Sequence, residues 1–239
     1  MKVNIFKNEW LFKYLEQYNR IVTDVCAKHT IIRNTDERYD PAFHSSSWWF
    51  NPENLYLLSL PRDYPEQSPI VKDKKFNLKF YAPNHASTFF ISFLYANRKD
   101  VLIEDYACGD ARLAGYLSKI GFNNWSLFDN FTQLSRDLFL DMTETFGVKY
   151  VLNDRTTNPT IINLIGYPGF LSTVHDNTEM VLLYENQRTL KDFEASHADG
   201  FTMIATDSDE MIYVYARNDK AQEFTKRLED YEKGIDFRC

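Results

Sequence analysis

Hydrophobic positions along this chain change their spacing twice. Between residues 9 and 28, Trp10, Leu11, Tyr14, Leu15, Tyr18, Ile21, Val22 and Val25 recur every three or four positions, which predicts an amphipathic helix that packs along one face. From 33 to 75 the period is lost. Pro41, Pro52, Pro61, Pro65 and Pro69 punctuate this stretch, so it reads as mostly irregular, with one strand at 55–60. Irregular segments of that length are uncommon inside a domain unless they are functional or mobile. A second helix is predicted over 86–96, with Phe89, Phe90, Phe93 and Leu94 on one side and Asn97 as its stop.

From residue 100 the pattern becomes regular. Short apolar runs at 101–105, 125–129 and 148–152 read as strands. Between them lie two helical stretches. The first carries Leu113, Tyr116, Leu117 and Ile120 inward and ends at Gly121; the second carries Leu134, Leu138, Met142 and Phe146 and ends at Gly147. Both glycines sit where a left-handed helix cap belongs. This βαβαβ order implies a parallel sheet with right-handed crossovers. Further strands are expected at 161–165, 180–184, 201–205 and 211–215. The last two flank the polar turn 206–210 and so form an antiparallel hairpin. A helix over 221–233, with Phe224, Leu228 and Tyr231 apolar, closes the chain at Gly234. The fold class is therefore α/β: a mostly parallel twisted sheet of about seven strands, a C-terminal hairpin, and helices on both faces. The expected domain spans 86–239, and 1–85 form a helical and irregular extension that could act as a lid.

Composition narrows the classes. An apolar share of 44% supports a sizeable core in 239 residues. The net charge of −7, from 27 basic and 34 acidic residues, opposes a nucleic-acid backbone, so nucleic acid is expected not to be a partner. Lys72, Lys74, Lys75 and Lys79 form the densest basic stretch, but it is short and contains Asp73. Cys26, Cys108 and Cys239 are odd in number and far apart, which argues against a disulfide framework and for a reducing cytoplasm. Residues 1–10 lack the apolar core of a signal peptide, and no run reaches the ~18 apolar residues of a membrane helix.

The chemistry concentrates at Asp105-Tyr-Ala-Cys-Gly-Asp-Ala-Arg112, where the first regular strand ends, and at Asp129, 24 residues on, where the next strand ends. A strand, a small-residue turn, a helix start and then an acid is how nucleotide-like ligands are held. The dinucleotide fingerprint G-x-G-x-x-G is absent, because Arg112 stands where its third glycine belongs. No Gly-Lys-Ser/Thr follows, which excludes a phosphate-binding loop. The small residues Ala107, Gly109 and Ala111 fall in steps of two. Alanine suits such a turn where φ is negative and is costly where φ is positive.

Small residues in steps of two, with an acid two positions earlier, resemble the first motif of class I S-adenosylmethionine (SAM)-dependent methyltransferases, acid-x-Gly-x-Gly-x-Gly. Two alanines replace two of its glycines here. Five parallel strands followed by a hairpin also resemble that family's sheet, which has seven strands with the last reversed. The resemblance implies SAM as cofactor and methyl transfer by in-line displacement to a small-molecule or protein acceptor. It places Asp105, Tyr106, Ala107, Cys108, Gly109 and Ala111 at the methionine part and ribose, Asp129 on the ribose hydroxyls, Asn130 beside the adenine, and Asn153 and Asp154 at the adenine amino group. Each acid alone would also serve as an ordinary strand-end or turn residue.

One departure concerns the link from the third to the fourth of these strands. Residues 153–160 are eight, too few for the usual crossover of a dozen or more. Crossing about three strand spacings while returning along a strand needs ~22 Å, within the ~27 Å reach of eight extended residues, so the usual helix there is lost.

A transferable methyl on a sulfonium is already activated, so a base is needed only when the acceptor must first lose a proton. The acceptor-side candidates are Tyr167 within 165–169, Glu185 with Asn186, and His175 between them. The Asp/Asn-Pro-Pro-Tyr/Phe motif of amino methyltransferases acting on DNA bases is absent; Gly166-Tyr-Pro-Gly169 stands there. Cys108 has no local base and reads as a packing residue. His29, His44, His85, His175 and His197 are scattered, with no metal-ligand spacing. Trp48-Trp49-Phe50 could cover an acceptor or simply anchor its segment. Two other functions remain open: a different SAM-type reaction such as aminopropyl transfer or SAM cleavage, and a methyltransferase-like scaffold that binds a partner without catalysis.

Overall fold

The computed structural model describes residues 1–5, 8–11, 13–15, 17, 18, 21, 22, 24, 25, 82–129, 133–152, 158–164, 166, 168–184, 187–208, 210 and 212–234. The strands are β1 (Lys2–Val3), β2 (Ile103–Tyr106), β3 (Trp125–Phe128), β4 (Tyr150–Leu152), β5 (Ile161–Leu164), β6 (Met180–Tyr184), β7 (Phe201–Asp207) and β8 (Ile212–Arg217). They form one sheet in the order β1-β7-β8-β6-β5-β2-β3-β4. Every pairing is parallel except those of β8, which runs against both β6 and β7. The helices are α1 (Ala82–Leu94), α2 (Arg112–Ser118), α3 (Gln133–Phe146), α4 (Gln187–His197) and α5 (Asn218–Glu232).

The central strands are buried on both faces, which is why β5 and β6 read as continuous apolar runs rather than as alternating ones. Successive side chains point to opposite faces, so the core divides in two. On one face Ile103, Leu127, Ile161, Leu182 and Val214 pack with α1, α2, α3, α5 and the N-terminal helical stretch. On the other, Tyr106, Ile162, Leu164, Val181 and Leu183 pack with Phe170, Leu171 and Phe193. The described residues from 9 to 25 are helical, and Leu11, Tyr14, Leu15, Val22 and Val25 are buried, as their spacing predicts, whereas Trp10, on the same predicted stripe at the start of the helix, is exposed. The Tyr14 hydroxyl donates to the Tyr116 carbonyl on α2.

Both glycine stops work as expected. Gly121 and Gly147 have φ of 103° and 67°. In each case the next residue's N–H reaches back five positions, Phe122 to Leu117 O at 3.1 Å and Val148 to Thr143 O at 2.8 Å. These are the bonds of a Schellman cap. The link between β4 and β5 passes β3 and β2, as the eight-residue estimate allows, and its described part, 158–160, is not helical.

Three features differ from the sequence reading. The sheet has eight strands, because Lys2–Val3 pair with Thr206 and Asp207 at its edge. Two residues are too few to show a period. The helix α4 was not foreseen, since it buries only Thr189 and Phe193 and so lacks a repeating apolar stripe. The helix α1 is buried all round from His85 to Tyr95, with Ser87, Thr88 and Ser92 inside it, rather than on one face alone. The predicted strand at 55–60 and the Trp48-Trp49-Phe50 cluster lie outside the described residues.

Contact between α2 and α3 rests on Gly115. A Cβ placed there would meet the Phe146 ring carbon Cγ at 3.0 Å. Gly115→Val should therefore lose about 2 kcal/mol of stability through overpacking, despite its better helix propensity. Urea unfolding of both proteins measures this.

Candidate functional site

Three elements converge at the carboxyl ends of β2, β3 and β5. The strand β2 lies between the other two, with Asp105 in register with Leu127 on β3 and with Asn163 on β5. Beyond β2 the chain turns through Ala107, Gly109 and Ala111, whose φ values are 60°, 57° and 59°. The intervening Cys108 and Asp110 do not share that positive φ. Alternation of this kind is the backbone pattern of a nest, but here the N–H groups of Cys108, Gly109 and Ala111 all bond within the protein. The conformation that glycine favours is thus adopted by two alanines.

The turn is held by its own residues. Cys108 N–H donates to Phe128 O at 3.0 Å, and Ala111 N–H to Cys108 O at 2.8 Å. Asp110 accepts from Arg112 N–H at 3.1 Å and pairs with the Arg112 guanidinium at 2.7 Å. Arg112, at the place of the missing third glycine, therefore braces the turn. Gly109 is exposed, and a Cβ built on it would meet nothing within 4 Å, so the space above the turn is open. Asp129, at the end of β3, touches the turn directly and accepts from Gly109 N–H at 2.7 Å.

Beneath the turn, Asp105 is buried at 1% exposure. Burial pushes its carboxyl up to about 7; the Asn163 hydrogen bond opposes this, and the negative charges of Asp129 and Asp110 add to it. Asn163 Nδ2 donates to Asp105 Oδ1 at 2.7 Å, and Ser87 Oγ on α1 donates to Asn163 Oδ1 at 2.8 Å. Neither Asn163 nor Ser87 stood out in the sequence reading. The available signal was a single polar residue inside the otherwise apolar run Ile161-Ile-Asn-Leu164.

The other predicted site residues scatter. Tyr106 lends only its backbone to this edge. Its ring lies in the opposite core, stacked on Phe170 at 4.2 Å, and its hydroxyl donates to Glu104 at 2.6 Å. The Cys108 thiol is buried in the core and raised well above its ordinary range by desolvation and then by Asp105, Asp129 and Asp110, surroundings that disfavour the thiolate. His175 sits in the turn before β6, where its N–H donates to Thr178 Oγ1 at 3.2 Å. That is the amino end of the parallel strands, a full strand length from the Asp105–Asp129 edge, so the structure does not bring His175 to the site. Asn130, Asn153, Asp154, Tyr167 and Glu185 lie outside the described residues. Among the described residues no group of three His, Cys, Asp or Glu side chains could hold a metal ion, and no helix is long and apolar enough to cross a membrane.

A mostly parallel sheet with one reversed strand inserted next to its last parallel strand, and a small-residue turn after the first strand of the regular part, is a class I methyltransferase fold. No protein-family model matches the chain, and no curated protein matches it in sequence. Solved structures do resemble it. Magnesium protoporphyrin IX methyltransferase from Synechocystis PCC 6803, solved with bound SAH, is 13% identical over 79% of this chain and 99% of its own, with a TM-score of 0.49. An rRNA methylase from Escherichia coli is 17% identical over 83% and 90%, with a TM-score of 0.41. Ribosomal protein L11 methylase from Lactobacillus delbrueckii subsp. bulgaricus is 14% identical over 57% and 79%, with a TM-score of 0.43. The likeness is one of fold.

These structures correct one expectation. Nucleic acid was set aside as a partner on the net charge of −7, yet an rRNA methylase stands among the similar folds. Net charge sums over a whole surface, whereas phosphate contacts need only a local basic patch. The acidic total excludes no acceptor class.

Two stability predictions follow from this geometry. Left-handed alanine is disfavoured by ~1–2 kcal/mol, so Ala107→Gly, at a half-buried position, should stabilise the protein by about 1 kcal/mol after the entropy of the unfolded glycine is deducted. Ala111→Gly should be close to neutral, because it also removes a buried methyl worth ~0.8 kcal/mol. Chemical denaturation of both variants tests the pair.

The second concerns pH. The folded-state pKa of Asp105, about 7, lies above its ordinary 3.8, so the native state holds the extra proton between those values. Its stabilising contribution is complete below pH ~3.8 and is lost as pH rises through 7. Asp105→Asn should abolish that decline and be the more stable protein at pH ~8, by between about 1 and 4 kcal/mol. Thermal melts across this range give the comparison.

Proposed function

We propose that this chain binds SAM at the β2 turn and transfers its methyl group to an acceptor. The observation that carries the proposal is the left-handed, open turn of Ala107, Gly109 and Ala111 facing the Asp129 carboxylate, with Asp105 beneath it. The residues present suit the cofactor. The backbone of 107–111 allows close approach, because nothing fills the space over Gly109. Asp129 accepts the ribose hydroxyls, in an orientation fixed by Gly109 N–H. Asp105 acts from below on the cationic amino end, through the turn or a water. Asn130, Asn153 and Asp154 are assigned to the adenine side from the sequence.

When bound, SAM supplies a methyl group already activated on a sulfonium. The work left to this chain is to orient, to exclude water and to hold charge. Asp105, Asp110 and Asp129 surround the turn with Arg112 as the cation paired to Asp110, an excess of negative charge that suits a positively charged ligand. The acidic set also accords with decarboxylated SAM, and hence with aminopropyl transfer, so that compound belongs in the same titration. The acceptor is sought among small molecules, proteins and RNA alike.

Calorimetric titration with SAM and with S-adenosylhomocysteine should show saturable binding, and Asp129→Ala should weaken it by at least about tenfold, the loss of one charged hydrogen bond. A folded wild-type chain that binds neither ligand would exclude the cofactor reading and leave the scaffold reading. Binding without transfer of labelled methyl to any acceptor class would have the same consequence for catalysis alone.

A further inference from the structure

The β2 strand carries its buried acid in an unusual setting. Asp105 shares its face of the sheet with Asn163, its register partner on β5, and the helix α1 lies over both and contributes Ser87. The three side chains form one line: the Ser87 hydroxyl donates to Asn163 Oδ1 at 2.8 Å, and Asn163 Nδ2 donates to Asp105 Oδ1 at 2.7 Å. All are essentially inaccessible, with Ser87 0%, Asn163 1% and Asp105 1% exposed. A fully buried polar line across two strands and a helix is costly unless each member is satisfied, and an apolar trio would pack there more simply.

The direction of the line carries information. A carboxylate only accepts hydrogen bonds, whereas a carboxylic acid also donates one. With Ser87 donating to its carbonyl, the Asn163 amide must offer its NH2 to Asp105, which favours the ionised acid. If Asp105 takes a proton, the better arrangement is reversed: the acid donates to the amide oxygen, and the amide donates to Ser87, whose hydroxyl can accept.

We propose that Asn163, set by Ser87, is a positioning residue of the turn, which biases Asp105 toward its ionised form and fixes it beneath Ala107–Ala111 so that a cationic ligand is favoured there. The inference rests on the SAM reading for its ligand, but not for the relay itself. The groups around Asp105 define the balance. From the turn come Cys108 and Asp110, the latter paired with Arg112; from β3 comes Asp129; from β5 and α1 come the uncharged Asn163 and Ser87, with buried His85 two positions before Ser87 on the same helix. Burial and the two neighbouring acids push Asp105 toward its neutral form, and Asn163 is the described group that opposes them. Removing Asn163 therefore moves the titration upward, and ligand affinity at neutral pH falls with the ionised fraction.

The test uses the full chain with carbon-13-labelled aspartate, the Asp105 signal being assigned by its loss in Asp105→Asn. The wild-type midpoint is expected near neutrality, and Asn163→Leu, similar in volume, should raise it by at least about one pH unit. Ser87→Ala, a milder change that keeps the amide, should raise it by less and guards against a misfolded Asn163 variant. SAM titrations across pH ~6 to 9 should show affinity rising with pH, with the Asn163→Leu curve displaced upward by the same interval, about threefold weaker near pH ~7.5 and close to about tenfold weaker near pH ~6. An Asp105 midpoint unmoved in both variants overturns the relay. A midpoint that moves while the affinity curves superimpose overturns its link to the ligand. Wild-type protein that binds no SAM at any pH removes the cofactor reading and the ligand half of this inference, and the midpoint still decides the relay.

Discussion

The hydrogen-bonding of β2 on both edges is the constraint from which the rest of the site follows. Parallel pairing with β3 fixes where Asp129 ends relative to the turn, and parallel pairing with β5 sets Asn163 beside Asp105. A shift of one residue in either pairing would send the affected side chain to the opposite face. Asp105 would then exchange places with Glu104, which is also fully buried but belongs to the other core with Tyr106. Two adjacent acids are thus kept apart by the pleat alone, one beneath the turn that follows β2 and one behind the sheet.

The same constraint explains which candidates belong together. Residues at the carboxyl ends of β2, β3 and β5 share an edge because those strands run the same way. His175 was attractive in the linear sequence because it falls between the two strand-end loops. Its loop, however, has already returned to the amino edge, where Thr178 holds it and Arg217 reaches the nearby Asp176 carbonyl. Sequence proximity to a functional loop carries no weight unless the direction of the chain is followed as well.

How much was legible depended on the kind of signal. Strands β2 to β8 and the helix caps at Gly121 and Gly147 declare themselves through runs and stops that local physics fixes. The edge strand Lys2–Val3 does not, since its partner lies about two hundred residues away and two residues have no period. The helix α4 does not, because little of it is buried. At the site, Asp105, Gly109 and Asp129 were legible from spacing. Asn163 and Ser87 were not, because a buried polar residue in a strand or helix looks like noise until its partner across the sheet is known. Sequence alone does not fix the sign of φ at the two alanines, and the structure places both on the costly, positive side.

That cost bears on what the turn is for. Left-handed alanine persists only where the surroundings over-determine it. Here they do: Phe128 O, Cys108 O and Asp110 take the backbone donors of the turn, and the buried Arg112 closes it through Asp110. All of these bonds are internal to the chain. Packing adds to these bonds, because Tyr106 and Cys108 on either side of Ala107 are both buried in the core. That strain is retained while the space over Gly109 stays open. Strain held by the protein's own bonds and packing, beside open space at Gly109, is the geometry on which the proposed ligand site rests.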